Sequence, residues 1–236
     1  MPYIKNAEYI KCAELLLTYV RVRYIIVNTN SHRGGSGMKK YIYLILATFV
    51  LTGCSSSAYG KVEKIVDDDR LSSLDAVTTQ AVEYYFDIDI DEDLGYTLEA
   101  FESYIPYNDD YIYHSNIFQA ELENVDFVDG DIAGYGGIFD PVSHEVMGMV
   151  ISRVTDKGET IDYTQDEIIH IALDFLKEKQ LIDSTQTLTY VNTNEKASSE
   201  YLTVINLDSA THRYAVGVNL QYAKVVYFEC ALLEYL

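Results

Sequence analysis

The chain has no tryptophan, only three cysteines, and 17 Lys and Arg against 37 Asp and Glu. The shortage of cations excludes nucleic acid as a partner, because a surface this acidic repels phosphate. By sign alone it favours cations, basic peptides or positively charged wall components. Zinc chemistry lacks its spacing: His114, His144, His170 and His212 form no HxxxH, HExxH or Cys–His pattern. No phosphate-binding loop is present. The one Gly-Ser-Gly, at Gly35–Gly37, precedes the segment that organises the chain. Carboxylate pairs carry no information in a chain this acidic. No apolar run approaches the ~20 residues that a membrane-spanning helix needs. No catalytic motif is found, and the expectation is a non-enzyme.

What is there begins at Met38–Ser57, MKKYIYLILATFVLTGCSSS. Lys39 and Lys40 form a short positive region, and Tyr41–Leu51 is an apolar stretch too short to span a bilayer. Leu51, Thr52 and Gly53 then lead into Cys54; small residues there leave an unhindered backbone for a peptidase. This arrangement resembles the signal peptide (38–53) and lipobox of a bacterial lipoprotein. The resemblance implies a diacylglyceryl thioether on Cys54, which becomes the new N-terminus and anchors the protein in the cell membrane, on the extracytoplasmic face. Two or more acyl chains hold stably where one holds marginally.

A signal peptide works near the start of a chain, so residues 1–37 do not belong in front of it. Met38 is expected to be the true start, with 1–37 a mistaken extension whose Gly34-Gly35 translates a ribosome-binding site. The alternative is a real amphipathic helix over Ile4–Val27. The mature chain, Cys54–Leu236, is long enough for one large domain or two small ones. Seven of the cations and two of the acids precede Cys54, leaving 10 and 35 and a net charge of −25. Beyond Cys54 only Cys230 remains, so no internal disulfide forms. It lies in the apolar run Val225–Leu233 and reads as a buried small hydrophobe. The 22 tyrosines suit half-buried strands or a binding face.

Residues 54–70 read as a tether, with Asp67-Asp68-Asp69 a solvated charge run. The pattern Leu74, Val77, Ala81, Val82, Tyr85 predicts a helix over 73–86, capped at Ser72 or Ser73. A short helix is expected over Thr97–Tyr104, ended by Pro106. Strands follow at Tyr111–Phe118, Glu121–Val128, Ile132–Phe139 and Glu145–Val154, the last two turned by Asp140-Pro141. Thr164-Gln165-Asp166-Glu167 is a capping box. It opens a helix to about Lys179 with Ile168, Ile171, Ala172, Phe175 and Leu176 on one face. Strands at Thr187–Asn192, Glu200–Leu207, Tyr214–Leu220 and Lys224–Leu232 complete the chain.

The two stretches, 71–156 and 157–236, look like a repeat. The helices align when Ser73 is set on Thr164, and the closing hairpins when Tyr135 is set on Tyr214. The first unit is the longer, by its acidic insert. The fold class is therefore α+β: two similar units, each one helix packed on an antiparallel sheet. DEIIHIALDFL opening a unit and FDPVSHEVMGMVI closing one are similar to the PepSY family of exported bacterial domains. Cystatin-like helix-on-sheet folds give nearly the same pattern. The PepSY resemblance covers about 71–236; His144 stands where the family often has Gly, and Asn219 replaces the hairpin Asp. It implies a non-enzymatic binding or protease-restraining module.

The acidic insert is the one candidate metal site. Asp87, Asp89, Asp91 and Asp93 alternate as at the start of an EF-hand loop, which needs Gly at its sixth position and Glu at its twelfth. Counted from Asp87 those positions hold Glu92 and Leu98; counted from Asp89, Leu94 and Ala100. The alternation also reads as a strand edge with Ile88 and Ile90 inward. Weak calcium binding is the alternative to a solvated surface, and no other cofactor is expected. The expected function is a membrane-anchored binding or regulatory module for a cationic peptide or protein. The alternatives are an envelope enzyme with a scattered site and a weak cation-binding lipoprotein.

Overall fold

Asp67, expected in the tether, instead caps a helix. Its side chain accepts a hydrogen bond from the Arg70 amide at 2.8 Å, and α1 runs Asp68–Phe86. Asp68 and Asp69 fill the first turn, where the helix dipole favours negative charge. The helix thus starts earlier than the expected position 73, because three acids that read as a solvated run suit a helix N-terminus. The computed structural model describes residues 61–108, 111–122, 132–153 and 160–233. Residues 1–60, with Cys54 and its flanking motif, lie outside them.

The tether also ends earlier than expected. Lys61–Ile65 is a strand, β1, paired antiparallel with β2 (Tyr96–Asn108) from Lys61↔Tyr104 to Ile65↔Ala100. β2 replaces the short helix expected at Thr97–Tyr104. Helix-forming residues there are overridden by pairing on both sides, to β1 and to β3 (Tyr111–Leu122). Period-2 burial fits the strand: Ala100 is fully buried, and Tyr96 and Leu98 pack against the core.

β4 (Ile132–Phe139) and β5 (Val146–Arg153) follow as a hairpin, then α2 (Gln165–Glu178). The capping box is present: the Thr164 amide donates to Glu167 Oε2 at 2.8 Å, and the Glu167 amide to Thr164 Oγ1 at 3.4 Å. β6 (Thr189–Thr193), β7 (Leu202–Asp208), β8 (His212–Asn219) and β9 (Lys224–Leu232) end the described chain. The fold is α+β. All nine strands form one antiparallel sheet in the order β1-β2-β3-β4-β5-β9-β8-β7-β6. The expected two sheets are joined edge to edge by the β5–β9 pair.

That seam is short. It consists of Gly148↔Glu229, Met149↔Phe228 and Val150↔Tyr227. The hairpins flanking it share their irregularities. In β4–β5 the register slips between Ile138 and Phe139. In β8–β9 it slips between Gly217 and Val218, the equivalent place when Tyr135 is set on Tyr214. His144 and Ala223 both have left-handed φ, +59° and +54°. Asp140 Oδ1 accepts from the Val142 amide at 2.9 Å, and Asn219 Oδ1 from the Gln221 amide at 2.8 Å.

Both helices lie on one face of the sheet. Phe228, fully buried, meets Tyr85 at 4.7 Å, Phe175 at 5.6 Å and Phe86 at 6.3 Å between ring centroids. α1 contributes Leu74, Ala81, Val82 and Phe86 to this core, and α2 contributes Ile168, Ala172 and Leu176. The helix ends meet over the seam: Phe86 and Phe175 stack at 6.3 Å, and Lys179 pairs with Asp87 at 2.7 Å.

Candidate outer-face site

The side chains that alternate with this core point to the opposite face. There Ile138, Val150, Ala197, Val204 and Tyr227 form a second, smaller buried cluster, with Ile117, Met147, Leu202 and Ala215 packed against it. It is covered by the turn between β6 and β7 rather than by a helix. The Asn194 amide donates to the Val204 carbonyl at 2.7 Å, Ser198 Oγ to the Asn194 carbonyl at 2.8 Å, and the Val204 amide to Ser198 Oγ at 3.0 Å. These bonds hold Ala197 down on the sheet.

Inside this apolar patch stands a carboxyl. Tyr227 and Glu229 are two apart on β9 and share the outer face. The Tyr227 hydroxyl donates to Glu229 Oε2 at 2.6 Å. Burial pushes the Glu229 carboxyl up to about 7, against the opposing pull of that hydrogen bond. The Tyr227 hydroxyl is raised well above its ordinary range by the same burial and by the carboxyl. Glu229 itself is half-buried. Across the strands it faces Gly148 on β5 and Ala215 on β8. A Cβ at Gly148 would be a tight fit, 3.0 Å from the Phe228 carbonyl oxygen and 3.4 Å from Glu229 Cα. Arg213 lies opposite Ala231 on the same face and is held by Asp208 through two bonds of 2.7 and 2.8 Å.

A second outer carboxyl, Glu121 on β3, is also raised to about 7 by burial. It stands opposite Gly134, three strands from Glu229. Near the N-terminus of α1, Glu102 accepts from Tyr104 at 2.6 Å and from Arg70, which together hold its carboxyl below the usual range. Tyr104 stacks on His114 at 4.3 Å. The buried His114 Nε2 and Asn116 Oδ1 have no hydrogen-bond partner among the described residues.

The structure does not bring the insert acids together. Asp87 is the C-cap of α1 and pairs with Lys179; Asp91 Oδ1 accepts from the Asp93 amide at 3.0 Å in a local turn. Among the described residues no three His, Cys, Asp or Glu side chains group as metal ligands. The isoleucines do face inward as expected: Ile90 is buried and Ile88 packs against the core, although 87–91 form no strand. His170 is exposed, its Nδ1 2.7 Å from the Asp166 carbonyl. Cys230 is half-buried, its thiol pushed up to about 11 by burial.

Sequence reasoning missed Glu229, although its signal is there. It is the single charged residue in the run Val225–Leu233, directly beside Cys230.

No curated protein matches the chain. Among solved structures, the Bacillus megaterium YpeB C-terminal domain aligns with a TM-score of 0.38 and 9% identity, over 70% of this chain and 62% of that domain. Among the described residues no helix is long and apolar enough to cross a membrane. The family description "prokaryotic membrane lipoprotein lipid attachment site" matches residues 38–55, a segment with one cysteine, Cys54. The chain is thus a bacterial lipoprotein, held to a membrane through its lipidated cysteine.

Proposed function

We propose that the protein is an extracytoplasmic, non-enzymatic module that binds a cationic segment of a peptide or protein at the membrane surface. The attachment site at 38–55 carries this reading, since it ties an acidic α+β domain to a membrane. In it, Leu51, Thr52 and Gly53 form the lipobox and Cys54 takes the diacylglyceryl group. β1 starts at Lys61, so the sheet stands only a short segment away from the anchor. A net charge of −25 beyond Cys54 repels an anionic leaflet and draws cationic partners.

We also read the two halves as copies of one unit, as the PepSY resemblance implies. The support is the seam. Met149 pairs with Phe228, its own counterpart when Tyr135 is set on Tyr214. The flanking hairpins repeat the same slip, left-handed residue and side-chain turn. A pseudo-twofold axis through that pair relates them.

The test is binding of the lipidated protein, in neutral nanodiscs, to a decalysine peptide and to decaglutamate. Decalysine should bind and keep binding at ~0.15 M salt, where surface charges beyond about 8 Å are screened. Equal response to both peptides, or to neither, would count against the reading.

A further inference from the structure

We infer that the β1 edge of the sheet rests on the lipid bilayer, through the outer-face stripe Val62, Lys64 and Val66. The sheet then stands with its first half against the membrane and its second half held away from it. The inference rests on the lipid anchor and not on what the domain binds.

Reach comes first. Residues 55–60 separate the lipidated Cys54 from Lys61, the first residue of β1, which makes seven Cα–Cα steps. An extended chain covers about 3.5 Å per step, so β1 starts no more than about 25 Å from the bilayer surface. β1 is one edge of the sheet and β6 is the other. Eight strand spacings of about 4.8 Å put β6 up to about 38 Å from β1. The anchor thus holds one edge near the lipid and leaves the other edge free to stand away from it.

The side chains of the near edge fit a lipid surface. Ile65 is buried in the core under the helices, while Val62 and Lys64 point the other way, opposite Ser103 and Phe101 of β2. Val66 follows at the next alternate position, just past the strand. Val62 is 40% exposed and Val66 82%, so two large apolar side chains stand in water four positions apart. Among the described residues the other exposed large apolar side chains stand singly on separate elements, as Val191 does on β6.

Charge and backbone agree with this placement. Lys64 pairs with Glu99 at 2.6 Å on the same face, so the stripe brings no unbalanced charge to the bilayer. Its carbon stem can lie on apolar surface while its head stays among the headgroups. The backbone groups on the free side of an edge strand need partners, and the headgroup layer supplies them where hydrocarbon does not. Asp67, Asp68 and Asp69, which follow Val66, open α1 on the opposite face of the sheet. The net charge of −25 beyond Cys54 pushes the rest of the domain away from an anionic leaflet.

The experiment uses the lipidated full chain with labelled valine methyl groups, in neutral nanodiscs, and a gadolinium chelate dissolved in the water. The unanchored Cys54→Ala protein in solution is the reference. On anchoring, broadening of the Val62 and Val66 methyl signals should fall about twofold or more, because side chains seated at the headgroup boundary lose access to water. Val191 should keep its broadening. With a nitroxide on a lipid headgroup in place of the chelate the order should reverse, Val62 and Val66 broadening more than Val191. Equal behaviour of the three valines, or protection of Val191 alone, overturns the posture. Decalysine binding in the same nanodiscs separates this result from the proposed function: unprotected Val62 and Val66 overturn the posture even where decalysine binds, and protected ones support it even where decalysine does not.

Discussion

Replacing Glu229 by glutamine should stabilise the protein at pH 8 and leave it unchanged at pH 4.5. The folded carboxyl titrates near 7 and the unfolded one near 4.5, because burial penalises the charged form. Between those values the folded chain holds a proton that the unfolded chain has released. Stability therefore falls as pH rises through that window: the contribution is fully present below 4.5 and lost by about 7. The size of the rise corresponds to about 3 kcal/mol at most, and about 1–2 kcal/mol after relaxation around a half-buried group. Glutamine keeps the shape and still accepts from the Tyr227 hydroxyl, but carries no charge to bury. Urea unfolding, followed by circular dichroism at pH 5, 6.5 and 8, measures this. With a slope of about 2–3 kcal/mol/M, the variant midpoint should exceed the unaltered one by about 0.5 M at pH 8. Glu121, raised by the same cause, keeps part of the decline in the variant. Glu102, Asp140, Glu167 and Asp183 are held low by their hydrogen bonds and act in a separate, more acid window, where stability is lost as pH falls. A variant midpoint no higher than the unaltered one at pH 8, with equal slopes, would refute a buried titrating carboxyl at the seam.

Other outcomes are as definite. Cys54→Ala should move the protein out of the membrane fraction; unchanged partitioning would exclude the lipid anchor. Thr164→Ala removes one half of the capping box of α2 and should cost about 1 kcal/mol, seen as a fall of about 2–4 °C in melting temperature. His144→Gly relieves a left-handed residue in the β4–β5 turn and should hold or raise stability by up to about 1 kcal/mol in the same melts. Phe228→Ala empties the point where both helices meet the sheet and should cost about 3–5 kcal/mol, read by urea unfolding.

Local chemistry was the legible part. The capping box of α2, strand β4 and strand β9 were all placed in the sequence, because each rests on residues within one short run. β2 was not: Thr97–Tyr104 has helix-forming residues, and its pairing with β1 and β3 comes from outside the segment. Asp67–Asp69 misled for a related reason, since a charge run and a helix N-terminus share composition and differ only in the residues after them. The outer-face carboxyl needed one more step. Glu229 is conspicuous within Val225–Leu233, but that it faces Gly148 is a fact of pairing between strands far apart in the chain, and spacing along one strand does not reveal it.

The seam also explains why the carboxyl stands where it does. Under the two-copy reading, Tyr227 is the counterpart of Gly148 and Glu229 that of Val150, at the same offset that relates Met149 to Phe228. An axis through Met149 and Phe228 places each residue beside its partner's counterpart, so Glu229 meets Gly148 and Tyr227 meets Val150. Two glutamates on this axis would sit diagonally close and repel; two glycines would leave the seam without side chains to pack. Neither arises in this chain: Gly148 sets no side chain beside Glu229, and Val150 stands beside the Tyr227 that bonds Glu229. On the inner face the pair is Met149 and Phe228, both fully buried under the helices. The two faces of the seam thus differ in kind: large apolar side chains pack under the helices on one, and the other carries the tyrosine–glutamate pair.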